Sequence, residues 1–138
     1  MAAFVDTSIW YSAANESDAD RHAARSLLAE HASSLVTSDQ ILAELWNLLN
    51  ARTDFRSANR VVGETQTGLP RIECTVSEDL QAAEAIRVKF DDQAFSLTDR
   101  TSFALMERLG ISDALSFDEH YRIYRYGPEG RRAFRVLP

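Results

Sequence analysis

Short apolar runs alternate with longer amphipathic stretches along the whole chain. The runs have the length and composition of strands, and most are followed by a polar residue at which a helix can begin. This pattern predicts strands within residues 2–5, 34–37, 71–75, 111–117 and 133–137 and helices within 9–11, 17–31, 40–52, 54–67, 77–90, 99–109 and 118–124. Strands that alternate with helices favour an α/β fold, with a mostly parallel sheet and helices on both faces. No internal boundary interrupts the pattern, so residues 1–138 are predicted to form a single domain.

The helix predicted at 40–52 differs from the others because it is apolar nearly all round. Such a helix is usually buried on several sides. Glu44 lies in its middle, where a carboxylate has no capping role to fulfil. Ser38 or Asp39 is predicted to cap this helix, and Gly110 to end a later one.

Length and composition fit one globular protein. The 138 residues are 45% hydrophobic and 26% charged, with too few Gly and Pro for a disordered chain. No apolar stretch approaches the roughly 18–20 residues of a membrane span, and the first residues lack a signal-peptide pattern. Cys74 is the only cysteine, which excludes an intramolecular disulfide and fits a reducing compartment. We therefore predict a cytoplasmic protein.

The net charge of −6 is unevenly distributed. Fourteen of the 15 basic residues are arginine, and residues 119–138 hold five of them against two acidic residues. The acidic excess lies in residues 1–98. A net-acidic chain is not an obvious polyanion binder, since phosphate binding draws on Lys and Arg. The acidic residues therefore need a chemical explanation.

Four acidic residues lie in apolar surroundings: Asp6, Glu44, Asp99 and Asp118. Asp6 and Asp118 follow predicted strands, and the active sites of open parallel sheets lie beyond the carboxyl ends of strands. Glu44 comes about two turns into its helix, near enough to face the same crevice. Converging carboxylates repel each other and are costly to desolvate, so such a cluster needs protons or cations.

A divalent cation is the natural partner of these carboxylates, because Mg²⁺ prefers oxygen ligands and bridges to phosphate oxygens. One or two such ions lower the pKa of a bound water and stabilise the leaving oxygen of a phosphodiester. The pattern therefore favours metal-assisted phosphodiester hydrolysis without a Ser, Cys or His nucleophile. His22, His31 and His120 are too scattered for a metal triad, and we predict structural or surface roles for them.

A structural explanation of the same residues stays open. Asp6, Asp99 and Asp118 all stand at predicted helix starts, where carboxylates are favoured as caps or first-turn residues.

Basic and aromatic residues interleave over 121–135, as they do in grooves that bind single-stranded RNA. A solvated surface produces the same pattern as often.

Four segments carry a resemblance to a known family. They are Phe4-Val5-Asp6-Thr7-Ser8, Leu42-Ala43-Glu44-Leu45, Ser96–Phe103 and Leu115–Tyr121. Their acidic residues have the order and approximate spacing of the PIN-domain ribonucleases, and the segments are most similar to the VapC-type toxins of bacterial and archaeal toxin–antitoxin pairs. The likeness covers essentially the whole chain.

The resemblance implies a three-layer α/β/α sandwich and an endoribonuclease that depends on Mg²⁺ or Mn²⁺. The four acidic residues would form its catalytic metal site, and Ser8 and Ser102 would support the carboxylates or the substrate. Toxins of this kind are usually homodimers that a small antitoxin inhibits, often by placing an arginine in the acidic site. The expected partners are therefore RNA, a cognate antitoxin and a second copy of this chain, without a membrane.

Two features depart from the family pattern. Arg100 stands where relatives usually have a small residue, and its charge could pair with a carboxylate or contact RNA. The Arg- and Tyr-rich stretch 121–132 is longer than the ending typical of the family. Arg100, Arg122 and Arg125 are therefore candidate RNA-binding residues.

Two other functions stay open. A PIN-like domain could bind RNA or act as a scaffold without catalysis, although the presence of all four acidic residues argues against this. A DNA-directed nuclease related to the flap endonucleases is disfavoured, because the chain lacks room for their added helices. Other α/β enzymes fit poorly, since Ser8 replaces the second aspartate of an Asp-x-Asp phosphatase and no Gly-rich phosphate loop is present.

Overall fold

Five parallel strands form one sheet in the computed structural model, which describes residues 1–138. The strands are β1 (Ala3–Val5), β2 (Leu35–Ser38), β3 (Arg71–Glu73), β4 (Asp113–Leu115) and β5 (Arg135–Leu137). The α-helices are α1 (Thr7–Ala14), α2 (Arg21–Glu30), α3 (Asp39–Arg52), α4 (Phe55–Thr67), α5 (Ser77–Lys89), α6 (Leu97–Leu109) and α7 (His120–Ile123). The predicted α/β fold is confirmed, and the sheet is parallel throughout. No helix combines the length and the hydrophobicity that a membrane span requires.

The strand order β3-β2-β1-β4-β5 reverses direction at β1. The chain first builds outward from β1 to β3 and then returns to place β4 on the other side of β1. Right-handed crossovers put the helices of the outward and return connections on opposite faces of the sheet, which gives three layers. The carboxyl ends of β1 and β4 therefore flank the switch point, where open parallel sheets bind ligands.

Helix α3 is covered on several sides, as its apolar sequence predicts. It contacts α1, α4, α6 and β2. Ile41, Leu45 and Leu49 recur at helical spacing and are buried. This packing fixes the direction of α3 and, with it, the position of Glu44 on its half-buried face.

Side-chain caps set where the helices begin. Ser38 Oγ accepts the N–H of Ile41 and so starts α3, as predicted. At α6 the Ser96 hydroxyl accepts the N–H of Asp99, while the Asp99 carboxylate accepts the N–H of Ser96. Asp99 is therefore the third residue of its helix and not the first, because this reciprocal pair starts the helix earlier. Gly110 has a φ of 69° and ends α6, as predicted.

An ion pair joins the two strands at the far edge of the sheet. Asp113 on β4 and Arg135 on β5 stand opposite each other in register. The Arg135 Nε and Nη2 groups donate to the two oxygens of Asp113 over 3.1 and 2.7 Å. These hydrogen bonds lower the pKa of Asp113. The bidentate pair fixes β5 against β4. The parallel pairing of these two strands confirms the strand predicted within 133–137.

A second ion pair joins α5 to α6. The Asp79 side chain is 1% exposed and accepts hydrogen bonds from Nε and Nη2 of Arg108 over 2.8 and 3.0 Å. It also accepts the N–H of Val76 at the start of α5. Burial alone would raise the pKa of Asp79, but these hydrogen bonds lower it overall. The pair therefore stabilises the fold at neutral pH.

We predict that Arg108→Ala lowers the free energy of unfolding at pH 7 by about 1–3 kcal/mol, because it leaves the Asp79 carboxylate buried without its partner. The pKa of Asp79 is lowered in the folded state, so the stability from the pair is present above the unfolded pKa of about 3.9 and is lost as the pH falls through the folded value. Urea denaturation should show the difference between wild type and Arg108→Ala shrinking below about pH 4.

Arg87→Ala is the matched control. Arg87 lies on α5 and forms an ion pair with Glu84, and both side chains of this pair are more than half exposed. We expect a change within about 0.5 kcal/mol for such a surface pair. Equal losses from the two variants would contradict the role assigned to Arg108.

Candidate active site

Asp6 directly follows β1, and its carboxylate is buried beneath three hydroxyl groups. The hydroxyls of Ser8 and Ser116 donate to Oδ2 over 2.8 and 2.9 Å. The hydroxyl of Tyr121 donates to Oδ1 over 3.2 Å. The carboxylate makes no capping hydrogen bond to α1, although Asp6 occupies the capping position. Its side chain therefore belongs to this polar cluster and not to the helix start.

The two serines also connect Asp6 to the turn after β4. The Ser8 hydroxyl accepts the N–H of Phe117, and the Ser116 hydroxyl accepts the N–H of Asp118, both over 3.0 Å. Each hydroxyl thus accepts one backbone proton and donates its own proton to the carboxylate. This arrangement fixes the direction of both serine hydroxyls toward Asp6.

Burial raises the pKa of Asp6, and the hydrogen bonds from Ser8 and Ser116 offset this only in part. The charges of Glu44 and Asp118 raise it further. Burial and the charge of Asp6 in turn hold the pKa of Tyr121 well above its usual range, so its phenol stays a hydrogen-bond donor. The surroundings of Asp6 therefore disfavour the charged form of its carboxyl group.

His120 connects two of the predicted acidic residues. Its Nδ1 lies 2.8 Å from Asp99 Oδ2 and 3.6 Å from Asp118 Oδ1. Its backbone N–H donates to the same Asp118 oxygen over 2.9 Å. One ligand atom from each of the three residues lies within 4.8 Å of the other two. The turn after Asp118 therefore brings the ring of His120 into the acidic cluster, where its Nδ1 holds Asp99, a contact that the sequence did not predict.

The acidic residues act on each other's pKa and on that of the histidine. Burial raises the pKa of Asp99, while the hydrogen bonds from His120 and the Ser96 backbone lower it in part. Burial alone would lower the pKa of His120, but the hydrogen bond to Asp99 and the nearby carboxylate charges raise it overall. The cluster thus favours a positive charge placed within it.

Glu44 reaches the cluster from α3. Its Oε1 accepts the hydroxyl of Thr7 over 2.5 Å. Thr7 is the buried first residue of α1 and follows Asp6 in the chain. This hydrogen bond fixes the mid-helix carboxylate beside the residue at the end of β1, as the crevice argument predicted.

All four predicted acidic residues line one cavity of about 310 Å³. The other residues that line it are Thr7, Ser8, Leu48, Ala94, Ser96 and His120. One oxygen each of Glu44, Asp99 and Asp118 has no hydrogen-bond partner in the protein. Carboxylate oxygens without a donor are the ligands that hard divalent cations prefer, so these residues fit a divalent metal ion.

Ser102 differs from Ser8 in its surroundings. It is 1% exposed on α6, one turn after Asp99, and its hydroxyl makes no hydrogen bond to any of the four acidic residues. Its contact with the Tyr121 hydroxyl lowers the pKa of that phenol in part. Ser102 does not line the acidic cavity. Ser8 therefore contacts a carboxylate of the site, and Ser102 does not.

The three arginines predicted to bind RNA make contacts within the protein. Arg100 Nη1 donates to the carbonyl of Ala83 on α5 over 3.2 Å. Arg122 Nη2 donates to the carbonyl of Pro138, and Arg125 Nη1 donates to carbonyl oxygens at the end of α7. None of the three lines the acidic cavity. Their contact with RNA stays a prediction.

Sequence reasoning missed four side chains that hold the acidic residues: Thr7, Ser116, His120 and Tyr121. Each lies within three residues of Asp6 or Asp118 in the sequence. That proximity to an acidic residue at a strand end is the signal that could have found them.

A larger cavity of about 490 Å³ lies between α1, α2 and α4. Its walls include apolar residues such as Trp10, Leu28 and Leu69, and none of the four predicted acidic residues. The larger cavity is therefore not the candidate active site, because it lacks the converging carboxylates that metal-assisted hydrolysis requires.

Comparison with known proteins agrees with this geometry. Residues 3–126 match the PIN domain family. The 23S rRNA-specific endonuclease VapC20 of Mycobacterium tuberculosis, from strains CDC 1551 / Oshkosh and ATCC 25618 / H37Rv, is 35% identical over 115 residues, which make up 83% of this chain and 88% of the relative. The crystal structure of M. tuberculosis VapC20, described as a sarcin–ricin loop cleaving toxin, matches with a TM-score of 0.80 and 33% identity over 86% of this chain and 91% of that one.

The family match begins with β1 and extends past α7, so it includes all four acidic residues and the side chains that hold them. Residues 1–2 and the segment 127–138, which contains β5, lie outside the match. The resemblance seen in the four sequence segments is thus confirmed for the fold. This chain belongs to the PIN-domain family.

Proposed function

We propose that this protein is a metal-dependent endoribonuclease that acts as the toxin of a toxin–antitoxin pair. In this proposal Asp6, Glu44, Asp99 and Asp118 are its catalytic and metal-binding residues. The observation that carries it is the convergence of four carboxylates from separate parts of the chain on one cavity at the switch point of the sheet. Such a cluster costs desolvation and repulsion, which a merely structural role would not require.

Each carboxylate has a neighbouring group that orients it. Ser8, Ser116 and Tyr121 hold Asp6 at the back of the cavity, and Thr7 holds Glu44. His120 and the Ser96 backbone hold one oxygen of Asp99, so that its other oxygen is open to a ligand. A bound Mg²⁺ or Mn²⁺ would supply a water of lowered pKa and neutralise the charge that develops on the leaving oxygen.

The proposed substrate is RNA with a structured loop. The relative from M. tuberculosis is named for its action on 23S rRNA, and its crystal structure for cleaving the sarcin–ricin loop. An RNA hairpin that carries this loop is therefore the first substrate to test. A DNA hairpin of the same sequence separates an endoribonuclease from a DNA-directed nuclease.

A cognate antitoxin and a second copy of this chain complete the proposed set of partners. The acidic cavity suits an inhibitor that inserts an arginine, since the carboxylates favour any cation among them. The cytoplasm stays the proposed compartment, because ribosomal RNA is found there and the chain has a single free cysteine.

We predict that Asp99→Asn abolishes cleavage of the RNA hairpin while the protein stays folded. Asparagine can keep its oxygen at the position that accepts hydrogen bonds from Ser96 and His120. The substitution then removes the charge and replaces the open oxygen with an NH2 group, which cannot bind a cation. The rate should fall by more than the roughly 10–100-fold that loss of an outer partner of a metal ligand costs. Gel analysis of the hairpin with Mg²⁺, with Mn²⁺ and with EDTA measures this.

Asp91→Asn is the control, because Asp91 is exposed and the substitution removes the same charge. It should cleave like wild type. Cleavage by Asp99→Asn at the wild-type rate would overturn the proposed site, and undiminished cleavage in EDTA would overturn the metal-dependent mechanism.

We predict that Mg²⁺ stabilises the wild-type protein against heat and that Asp99→Asn loses most of this gain. A ligand at 100 times its dissociation constant stabilises the native state by about 2.7 kcal/mol, because it binds the folded protein alone. Without metal, Asp99→Asn should melt no lower than wild type, since it relieves burial of a charge among carboxylates. Scanning calorimetry with and without Mg²⁺ tests both statements. An equal Mg²⁺ gain in the two proteins would show that the ion binds elsewhere.

We predict that Ser8→Ala and Ser102→Ala differ in their effect on cleavage. Ser8→Ala removes a hydrogen bond to Asp6 and the acceptor of the Phe117 N–H, so its rate should fall by roughly 10–100-fold. Ser102→Ala removes a hydroxyl that makes no hydrogen bond to a carboxylate of the site, so its rate should stay within about threefold of wild type. Steady-state cleavage rates decide between them, and a larger loss from Ser102→Ala would give Ser102 a role in substrate binding.

A further inference from the structure

An exposed arginine lies over a tyrosine ring at the contact between α1 and α3. The guanidinium carbon of Arg52 is 5.3 Å from the centre of the Tyr11 ring. Arg52 is exposed, and Tyr11 is half-buried. The Tyr11 hydroxyl also accepts a hydrogen bond from Asn15. The hydrogen bond from Asn15 thus fixes the Tyr11 ring, while the Arg52 guanidinium that lies over this ring is open to solvent.

This pair lies along the same helix contact as the acidic cavity. Glu44, Leu48 and Arg52 follow each other at intervals of four and share one face of α3. Thr7 and Tyr11 have the same relation on α1. Glu44 and Leu48 line the cavity, so Arg52 is the next residue outward along this face. Two turns of helix place its backbone about 12 Å from that of Glu44.

No carboxylate forms an ion pair with Arg52. Six arginines form ion pairs with carboxylates: Arg60, Arg71, Arg87, Arg108, Arg131 and Arg135. Four more donate to backbone carbonyls: Arg25, Arg100, Arg122 and Arg125. Four arginines do neither: Arg21, Arg52, Arg56 and Arg132. Of these four, only Arg52 lies over an aromatic ring, that of Tyr11. All of its guanidinium N–H groups are therefore free to donate to a ligand.

We propose that Arg52 and Tyr11 form a binding site for the RNA backbone, which holds a phosphate of a nucleotide beside the cleaved bond. The inference rests on the proposed endoribonuclease function. A guanidinium offers a planar fork that matches two phosphate oxygens. The aromatic face keeps this fork in one orientation and leaves its edge for hydrogen bonds. Because the site lies outside the carboxylate cluster, it binds a flanking phosphate without contacting the reacting atoms.

RNA binding is measured apart from cleavage. The probe is a fluorescent RNA hairpin that carries the sarcin–ricin loop, titrated with the full-length protein in EDTA at several salt concentrations. Arg52→Ala should bind about 5–20-fold more weakly and should lower the slope of log affinity against log salt by about 1. Arg52→Lys keeps the charge without the planar fork, so its affinity for the RNA should lie between those of wild type and Arg52→Ala. Tyr11→Phe, which keeps the ring, should bind like wild type, and Tyr11→Leu should bind about threefold more weakly.

Arg71→Ala is the matched control, because Arg71 is exposed at the amino end of β3 and pairs with Glu73 at a distance from the cavity edge. It removes the same charge and should leave RNA binding within about twofold of wild type. In Mg²⁺, Arg52→Ala should raise KM for the hairpin and leave kcat unchanged, as expected for a residue that binds a flanking nucleotide. Circular dichroism confirms that each variant is folded.

Equal RNA binding by Arg52→Ala and Arg71→Ala would overturn this inference. A fall in kcat at constant KM would overturn it as well, because it would place Arg52 in the chemical step. Absence of Asp99-dependent cleavage would instead defeat the proposed function, while the binding titration would still decide whether the Arg52 site holds RNA. The two failures are therefore distinguishable.

Discussion

The arrangement of the site depends on the buried carboxylate of Asp6. A charge at the end of a central strand is costly, and burial raises its pKa accordingly. The protein offsets this cost with neutral hydroxyl donors that come from three different parts of the chain: Ser8 on α1, Ser116 after β4 and Tyr121 on α7. The same hydrogen bonds therefore hold α1, the end of β4 and α7 in one arrangement. Asp118 lies in the turn that these bonds fix and His120 begins the helix that follows it, so these two members of the cluster take their positions from Asp6.

The cluster of four acidic residues differs from the protein's structural ion pairs, because it contains no arginine. Asp79 and Asp113 are also little exposed, and each accepts two hydrogen bonds from an arginine that help to lower its pKa. The pKa values of Asp6 and Asp99 are raised instead, because their partners are hydroxyls, a histidine and backbone N–H groups. Hydroxyl donors orient a carboxylate without cancelling its charge. The acidic site therefore keeps its negative potential for a ligand and lacks the stabilisation that an ion pair would give.

The sequence was informative where a single residue contradicts its surroundings. Glu44 pointed to the site because a position in the middle of an apolar helix has no structural use for a carboxylate. Asp6 pointed to it as a charge at the end of an apolar strand, although a capping role explained that residue equally well. Tyr121 and His120 could not be recognised in this way, since an aromatic residue beside a strand end is equally typical of a core. Their roles follow from the turn after β4, whose direction depends on tertiary hydrogen bonds. Asp99 shows a further limit: it caps its helix and also belongs to the cluster, so the structural and the catalytic explanation of one residue are compatible.

The placement of the arginines changes what the net charge of −6 implies for a polyanionic substrate. Ten of the fourteen form ion pairs or donate to backbone carbonyls, including both that the sequence favoured in the C-terminal stretch. A guanidinium already paired with a carboxylate adds little to the field that draws RNA toward the protein. In the proposed function, attraction of RNA would therefore be local, from a cation held by the four carboxylates and from exposed side chains beside the cavity. A metal ion would then have two effects, because the charge that activates water also removes the repulsion between the acidic cavity and a phosphate.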